Sequence, residues 1–151
     1  HHKFFTTEVP QCLNQLHAQT PNLWGTMNAA QMLDHLLAGT LLMLSEADVE
    51  VTIPEEKLAR YKTFLMSDQN FMESAPKPAL YNDYEGKHGG DINQLKTAFL
   101  EALVQFDKHT STDEKFSCTH PSFGNLNAEE TRQLQYKHIR HHFQQFGLMP
   151  R

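Results

Sequence analysis

The run Asn127-Ala-Glu-Glu-Thr-Arg-Gln-Leu-Gln-Tyr-Lys-His-Ile-Arg-His-His-Phe-Gln-Gln-Phe-Gly147 reads as one helix with three histidines near its C-terminal end. Asn127 can cap the first turn, Glu130 three residues later can reach back to the cap, and Gly147 supplies the left-handed residue that ends a helix. Each residue turns the wheel by about 100°, so Tyr136, Ile139, Phe143 and Phe146 share a stripe roughly 80° wide. Such a stripe must face a core. On the same wheel His142 lies about 60° from Ile139, His138 about 100° and His141 about 160°. His138 and His142 therefore stack one turn apart along the margin of the buried face, and His141 is expected on the solvent side with Lys137.

Two imidazoles at i and i+4 form half of a metal site, because their nitrogens can converge on one ion. A surface helix that is merely rich in histidine has the same spacing, so a third ligand must decide. The candidate is His35. Asn28-Ala-Ala-Gln31 repeats the cap-and-reach pattern, and Met32 to Leu44 is apolar almost all round, as in a helix buried within a bundle. Within about 80° of His35 on the wheel lie Met32, Gly39, Leu42 and Met43. A neutral core histidine bonded to a carbonyl also fits that setting. Leaving such a ring unpartnered costs on the order of 1–3 kcal/mol, whereas a shared ion would satisfy three rings at once.

Outward from these two helices, Val9, Leu13 and Leu16 mark a short helix over 8–19 with Pro10 in its first turn. Val49 to Ile53 alternates like a strand but is short, and reads as an extended connector. Pro54 opens a helix over 54–66 carrying Leu58, Tyr61, Phe64 and Leu65. Ser67 to Gly90 has no period and is broken by Pro76, Pro78, Asn82, Gly86, Gly89 and Gly90; a loop of this length is a lid, a binding loop or a disordered stretch. Tyr81, Asp83, Tyr84, Lys87 and His88 suit it for ligand contact, and a plain solvated loop fits the composition too. Asp91 caps a helix to about Asp107, with Ile92, Leu95, Phe99, Ala102, Leu103 and Phe106 on one face. A polar linker over 108–115 and a compact apolar loop over 116–126 lead into the last helix. His120, in His120-Pro121-Ser122-Phe123-Gly124, is the reserve candidate for an additional contact at the site, with a structural role in the turn as the alternative.

The expected fold class is all-α: an up-down bundle of four helices, 28–46, 54–66, 91–107 and 127–146, with the short N-terminal helix alongside and no sheet of consequence. One domain over 3–151 is expected, with His1 and His2 read as remnants of a purification tag and excluded as ligands. The 151 residues and 17.4 kDa suit one core. No apolar run approaches the roughly 20 residues a membrane helix needs. A net charge of −5 and the absence of Lys/Arg clusters argue against nucleic-acid binding. Cys12 and Cys118 fit neither a disulfide framework nor a thiolate zinc site, and with no visible secretory signal they are expected as reduced thiols of a cytoplasmic protein.

Trp24-Gly25-x-Met27-x-x-x-Gln31-Met32-x-x-His35, taken with His120-Pro121-x-Phe123-Gly124 and Tyr136-Lys137-His138-x-x-His141-His142-x-x-Gln145-Phe146-Gly147, resembles the DinB-like superfamily of bacterial four-helix bundles, in a branch of unknown function. In that superfamily one histidine on an early helix and two in a late His-x-x-x-His hold a divalent metal. The resemblance thus implies His35, His138 and His142 as ligands, with zinc or nickel, or alternatively iron, as the ion. Its characterised members include thiol-cofactor-dependent transferases and isomerases, which implies a metal-dependent thiol S-transferase or hydrolase acting on a small molecule, with a low-molecular-weight thiol as cofactor. A non-catalytic metal-stabilised bundle or small-ligand-binding module stays open beside it, and so does a homodimer. No residue is singled out as general acid or base: Asp34 lies about 100° from His35 on the wheel, and His141 is expected to face away.

Overall fold

Capping and hydrophobic period set the helices. The computed structural model describes every residue except Glu46, Ser74, Pro78 and Tyr84. The last residue of the expected 28–46 helix, and Pro78 and Tyr84 of the long loop, thus lie outside the described residues. In chain order a π-helical turn, Phe4–Glu8, runs into α1 (Val9–Gln15), followed by α2 (Ala29–Leu44), α3 (Glu55–Met66), a 3-10 turn (Ala79–Asp83), α4 (Ile92–Thr112), β1 (Ser117–His120), β2 (Gly124–Asn127) and α5 (Ala128–Gln145). The protein is mostly helical, with one small two-stranded sheet among the described residues.

Both capping boxes form: Asn28 with Gln31 opens α2, and Asn127 with Glu130 opens α5. At the far end of α5, Gly147 takes φ +67°, its N–H donates to Gln144 O (3.1 Å) and Leu148 N–H donates to Phe143 O (2.8 Å). This paired closure is the Schellman arrangement that a left-handed glycine permits. Asp91 accepts from the N–H groups of Asn93 and Gln94 to start α4.

The main core joins Leu13, Leu16, Met32, Leu33, Leu36, Leu37, Leu65, Leu95, Phe99, Leu103, Phe106, Ile139 and Phe143. Helix α2 packs on α4 and α5, and α5 also packs on α3 and α4. A second cluster of Ala38, Leu42, Val49 and Tyr81 seats the extended connector and the 3-10 turn on the other side of α2. Between α2 and α5, buried Gln135 Nε2 donates to Thr40 Oγ1 (2.7 Å), which fixes the two helices in register close to the histidines.

Four expectations need correction. The first helix ends at Gln15, not 19, and begins upstream through a π turn. Pro10 lies inside it, has no N–H for the carbonyl one turn back, and the preceding turn widens. That segment buries Phe4 and Phe5, and the two residues set aside make contacts: His1 stacks on Tyr136 (4.5 Å between ring centroids), and His2 Nδ1 lies 2.7 Å from Asp107 Oδ2. Helix α4 continues to Thr112 through most of the expected linker, its hydroxyl residues bonding back to carbonyls, as in Thr110 Oγ1 to Phe106 O (2.7 Å).

The loop over 116–126 is a β-hairpin, with Cys118 opposite Leu126 and His120 opposite Gly124. Phe123 N–H donates to His120 O (3.3 Å) and Gly124 follows with φ +71°, a three-residue turn with its glycine in the left-handed region. Thr52 N–H and Oγ1 both donate to Pro121 O (2.9 and 3.2 Å), tying the 49–53 connector to the hairpin tip. Finally, Lys137 does not face solvent. It is 7% exposed, and its ammonium donates to Phe64 O (2.9 Å), Leu65 O (3.3 Å) and Ser67 O (3.1 Å), adding a charged donor to the carbonyls at the C-terminal end of α3.

Candidate metal centre

Helices α2 and α5 meet where each carries a histidine face. His35, His138 and His142 are 6%, 8% and 7% exposed, and their ring centroids lie 4.9 Å (35 to 138), 4.8 Å (35 to 142) and 5.0 Å (138 to 142) apart, nearly an equilateral triangle. One ring nitrogen from each falls within 4.8 Å of the other two. Nitrogens each at roughly 2.0–2.1 Å from one tetrahedral zinc stand roughly 3.4 Å from one another, so small rotations of these rings would bring three donors to one ion.

Two of the three outer nitrogens are engaged. His35 Nδ1–H donates to Glu85 Oε1 (2.8 Å) and His142 Nδ1–H donates to Gln145 Oε1 (2.8 Å). Each bond fixes the tautomer, leaving the Nε2 lone pair as the free donor, which is how metal-binding imidazoles are commonly held. Gln145 is oriented in turn, since its Nε2 donates to Trp24 O (2.9 Å) and its own carbonyl accepts from Leu23 N–H (2.7 Å). Gly25, at φ +78°, makes room for this: a Cβ there would stand 2.6 Å from Gln145 Nε2. Glu85 is held by Lys77, whose ammonium donates to Oε2. With His35 presenting a lone pair, His138 supplies the proton of the 2.9 Å Nε2-to-Nε2 hydrogen bond between them, and an ion bound here would take that proton's place.

Burial keeps these rings neutral. It pushes His142 down to about 3 and His138 well below the ordinary histidine range, with the neighbouring imidazoles adding to the effect. His35 is lowered by burial too, partly offset by Glu85. Burial pushes the Glu85 carboxyl up, but hydrogen bonds from Lys77 and His35 outweigh it and hold the group below its usual value. Neutral imidazoles with free lone pairs are what a divalent transition ion requires, and the donor set suits zinc, nickel, iron and copper alike. The residues therefore fit such an ion.

Gly39 makes this packing possible. A Cβ on it would meet Tyr81 Cε1 at 2.9 Å, Tyr81 Oη at 3.1 Å and His138 Cε1 at 3.1 Å. Tyr81, from the 3-10 turn, stacks on His35 at 4.8 Å between centroids with 26° between planes. The 67–90 loop thus supplies Phe71, Lys77, Tyr81 and Glu85 to the site, whereas Asp83, Lys87 and His88 are exposed.

His141 departs from the sequence expectation. Half-buried instead of facing solvent, it sits with its ring 4.9 Å from His142, 5.8 Å from Trp24 and 6.2 Å from Phe71, and it lines a cavity of about 250 Å³ that opens onto the three histidines. It is not one of the three converging ligands. His120 lines the same cavity, but its Nδ1 accepts from Ser122 N–H (3.1 Å) within the hairpin turn, the structural role. Asp34 points elsewhere, accepting from Gly86 N–H (2.6 Å). Glu85 and Gln145 are the positioning residues that sequence reasoning missed. Gln145, three residues after His142 and inside the quoted motif, could have been found from its spacing; Glu85, in an aperiodic loop, carried no signal.

Comparison with known proteins gives no family model, no curated protein and no solved structure that matches the chain.

Proposed function

We propose that the chain is an up-down four-helix bundle of the DinB-like kind that binds one divalent transition-metal ion, zinc or nickel first and iron next, through Nε2 of His35, His138 and His142, and uses it in a transferase or hydrolase reaction on a small molecule. The observation that carries this reading is the convergence of three buried imidazoles, two of which, His35 and His142, have their outer nitrogens held by Glu85 and Gln145. When bound, the ion would supply Lewis acidity and a site for a thiol or water of lowered pKa. The protein's own part is distinct. Glu85 and Gln145 hold two rings in the donor tautomer, Tyr81 covers His35, and Phe71, Phe123 and Leu134 shield the approach from water. The sequence resemblance to DinB-like proteins favours a thiol transferase within this class.

A second reading, a non-catalytic bundle or small-ligand-binding module, is favoured by the 2.9 Å hydrogen bond between His35 and His138, which satisfies both nitrogens without an ion. Turnover separates the two. Zinc- or nickel-loaded protein should transfer a low-molecular-weight thiol to a chromogenic electrophile or hydrolyse a chromogenic ester, and His35→Ala should abolish this while retaining helical circular dichroism. Metal-loaded protein inert across both panels would sink the enzyme reading.

A further inference from the structure

The cavity on the histidine cluster has a chemical character of its own. Its walls above the three rings are Phe71, Phe123, Leu134 and Met27, with Met72, 74% exposed, at one edge. Phe71 and Phe123 stack with 27° between their planes and 6.4 Å between centroids. Among the described lining residues Lys77 alone carries a full charge, and its ammonium is engaged by Glu85. A charged group placed among these walls would find no free counter-charge, and taking it out of water unpaired is strongly unfavourable. An apolar group would gain from the same transfer. The volume, about 250 Å³, falls below the roughly 300–1,000 Å³ of pockets that take drug-sized ligands, so the occupant is smaller than those.

We infer that this cavity binds a small uncharged molecule with an apolar body and one oxygen, nitrogen or sulfur head group directed at the three histidines. The inference rests on the metal reading only for what the head group meets; the seat of the apolar body needs no ion. It narrows the substrate class to compounds with a neutral, largely hydrocarbon body and, wherever the body lies, disfavours charge on it; only the head group would meet the charge of a bound ion.

The test uses 1-butanol, 1-hexanol, 1-octanol and hexanoate as probes on metal-free protein, followed by aromatic proton chemical shifts in NMR titrations. Affinity should tighten about fourfold for each methylene buried and level off once the cavity is filled, and hexanoate should bind at least tenfold more weakly than hexanol. Phe71→Ala, which enlarges the cavity from a partly exposed position, should move the plateau to a longer chain. No dependence on chain length, hexanoate binding as tightly as hexanol, or a plateau that Phe71→Ala leaves in place would each overturn the inference. A zinc titration of the same protein keeps the two ideas apart: length dependence without zinc binding removes the metal reading and retains the cavity, and zinc binding without length dependence does the reverse.

Discussion

Gly39→Ala sets two effects of opposite sign against each other. In the interior of α2 alanine is the better helix former by about 1 kcal/mol, so in an open site the substitution would stabilise the fold. Here the added Cβ would stand 2.9 Å from Tyr81 Cε1 and 3.1 Å from His138 Cε1, where carbon atoms pack best at about 3.5–4.0 Å. Both neighbours are buried and held from other sides, Tyr81 against His35 and His138 on α5, so neither yields freely. Overpacking of this kind costs about 1–3 kcal/mol. The net expectation is a loss of about 1 kcal/mol in urea denaturation of the metal-free protein, together with at least tenfold weaker zinc binding in competition with a chromogenic chelator, because His138 is the ring pushed aside. A variant about 1 kcal/mol more stable than the parent, with unchanged zinc affinity, would refute the packing described around the histidines.

Further outcomes follow from the same geometry. Gln145→Leu should weaken zinc binding about 10–100-fold with the fold intact, read by chelator competition, because His142 loses the partner that sets its tautomer. Lys137→Met should lower stability by about 1–3 kcal/mol in urea titrations, since Ser67 O loses its ammonium donor and the Phe64 and Leu65 carbonyls, which keep bonds from Ser67 and Gln133, each lose a charged one. Burial depresses His120 to about 4, so its contribution is present in full above pH 6.5, the unfolded value, and is lost as pH falls toward 4. A displacement of that size is worth about 3 kcal/mol, and metal-free His120→Gln should show a correspondingly shallower loss of stability between pH 6.5 and 4 than metal-free parent.

The helices that carry the site were legible in the sequence because their signals are local. Asn28 with Gln31 and Asn127 with Glu130 announce two starts by spacing alone, and Gly147 announces an end. His138 and His142 follow from the helical period. The hairpin was not legible: Ser117-Cys-Thr-His and Gly124-Asn-Leu-Asn have little strand propensity, and their alternation of buried Cys118, His120, Gly124 and Leu126 with more exposed partners is masked by small and polar residues. Lys137 and His141 were misplaced for a shared reason. A wheel assigns solvent to whatever lies opposite the apolar stripe, but α5 also packs on α3 and faces the 67–90 loop, so its polar side is covered as well. Long-range partners such as Glu85, fifty residues from His35, leave no trace in periodicity.

Metal content measured directly on this cluster tests the central claim. Protein with His1 and His2 replaced by serine, equilibrated with zinc and freed of excess, should carry one equivalent by elemental analysis. His35→Ala, His138→Ala and His142→Ala should each lose it, whereas His141→Ala and His120→Ala should keep it. Zinc retained by all three ligand variants, or lost with His141→Ala alone, would contradict the site built here from α2 and α5.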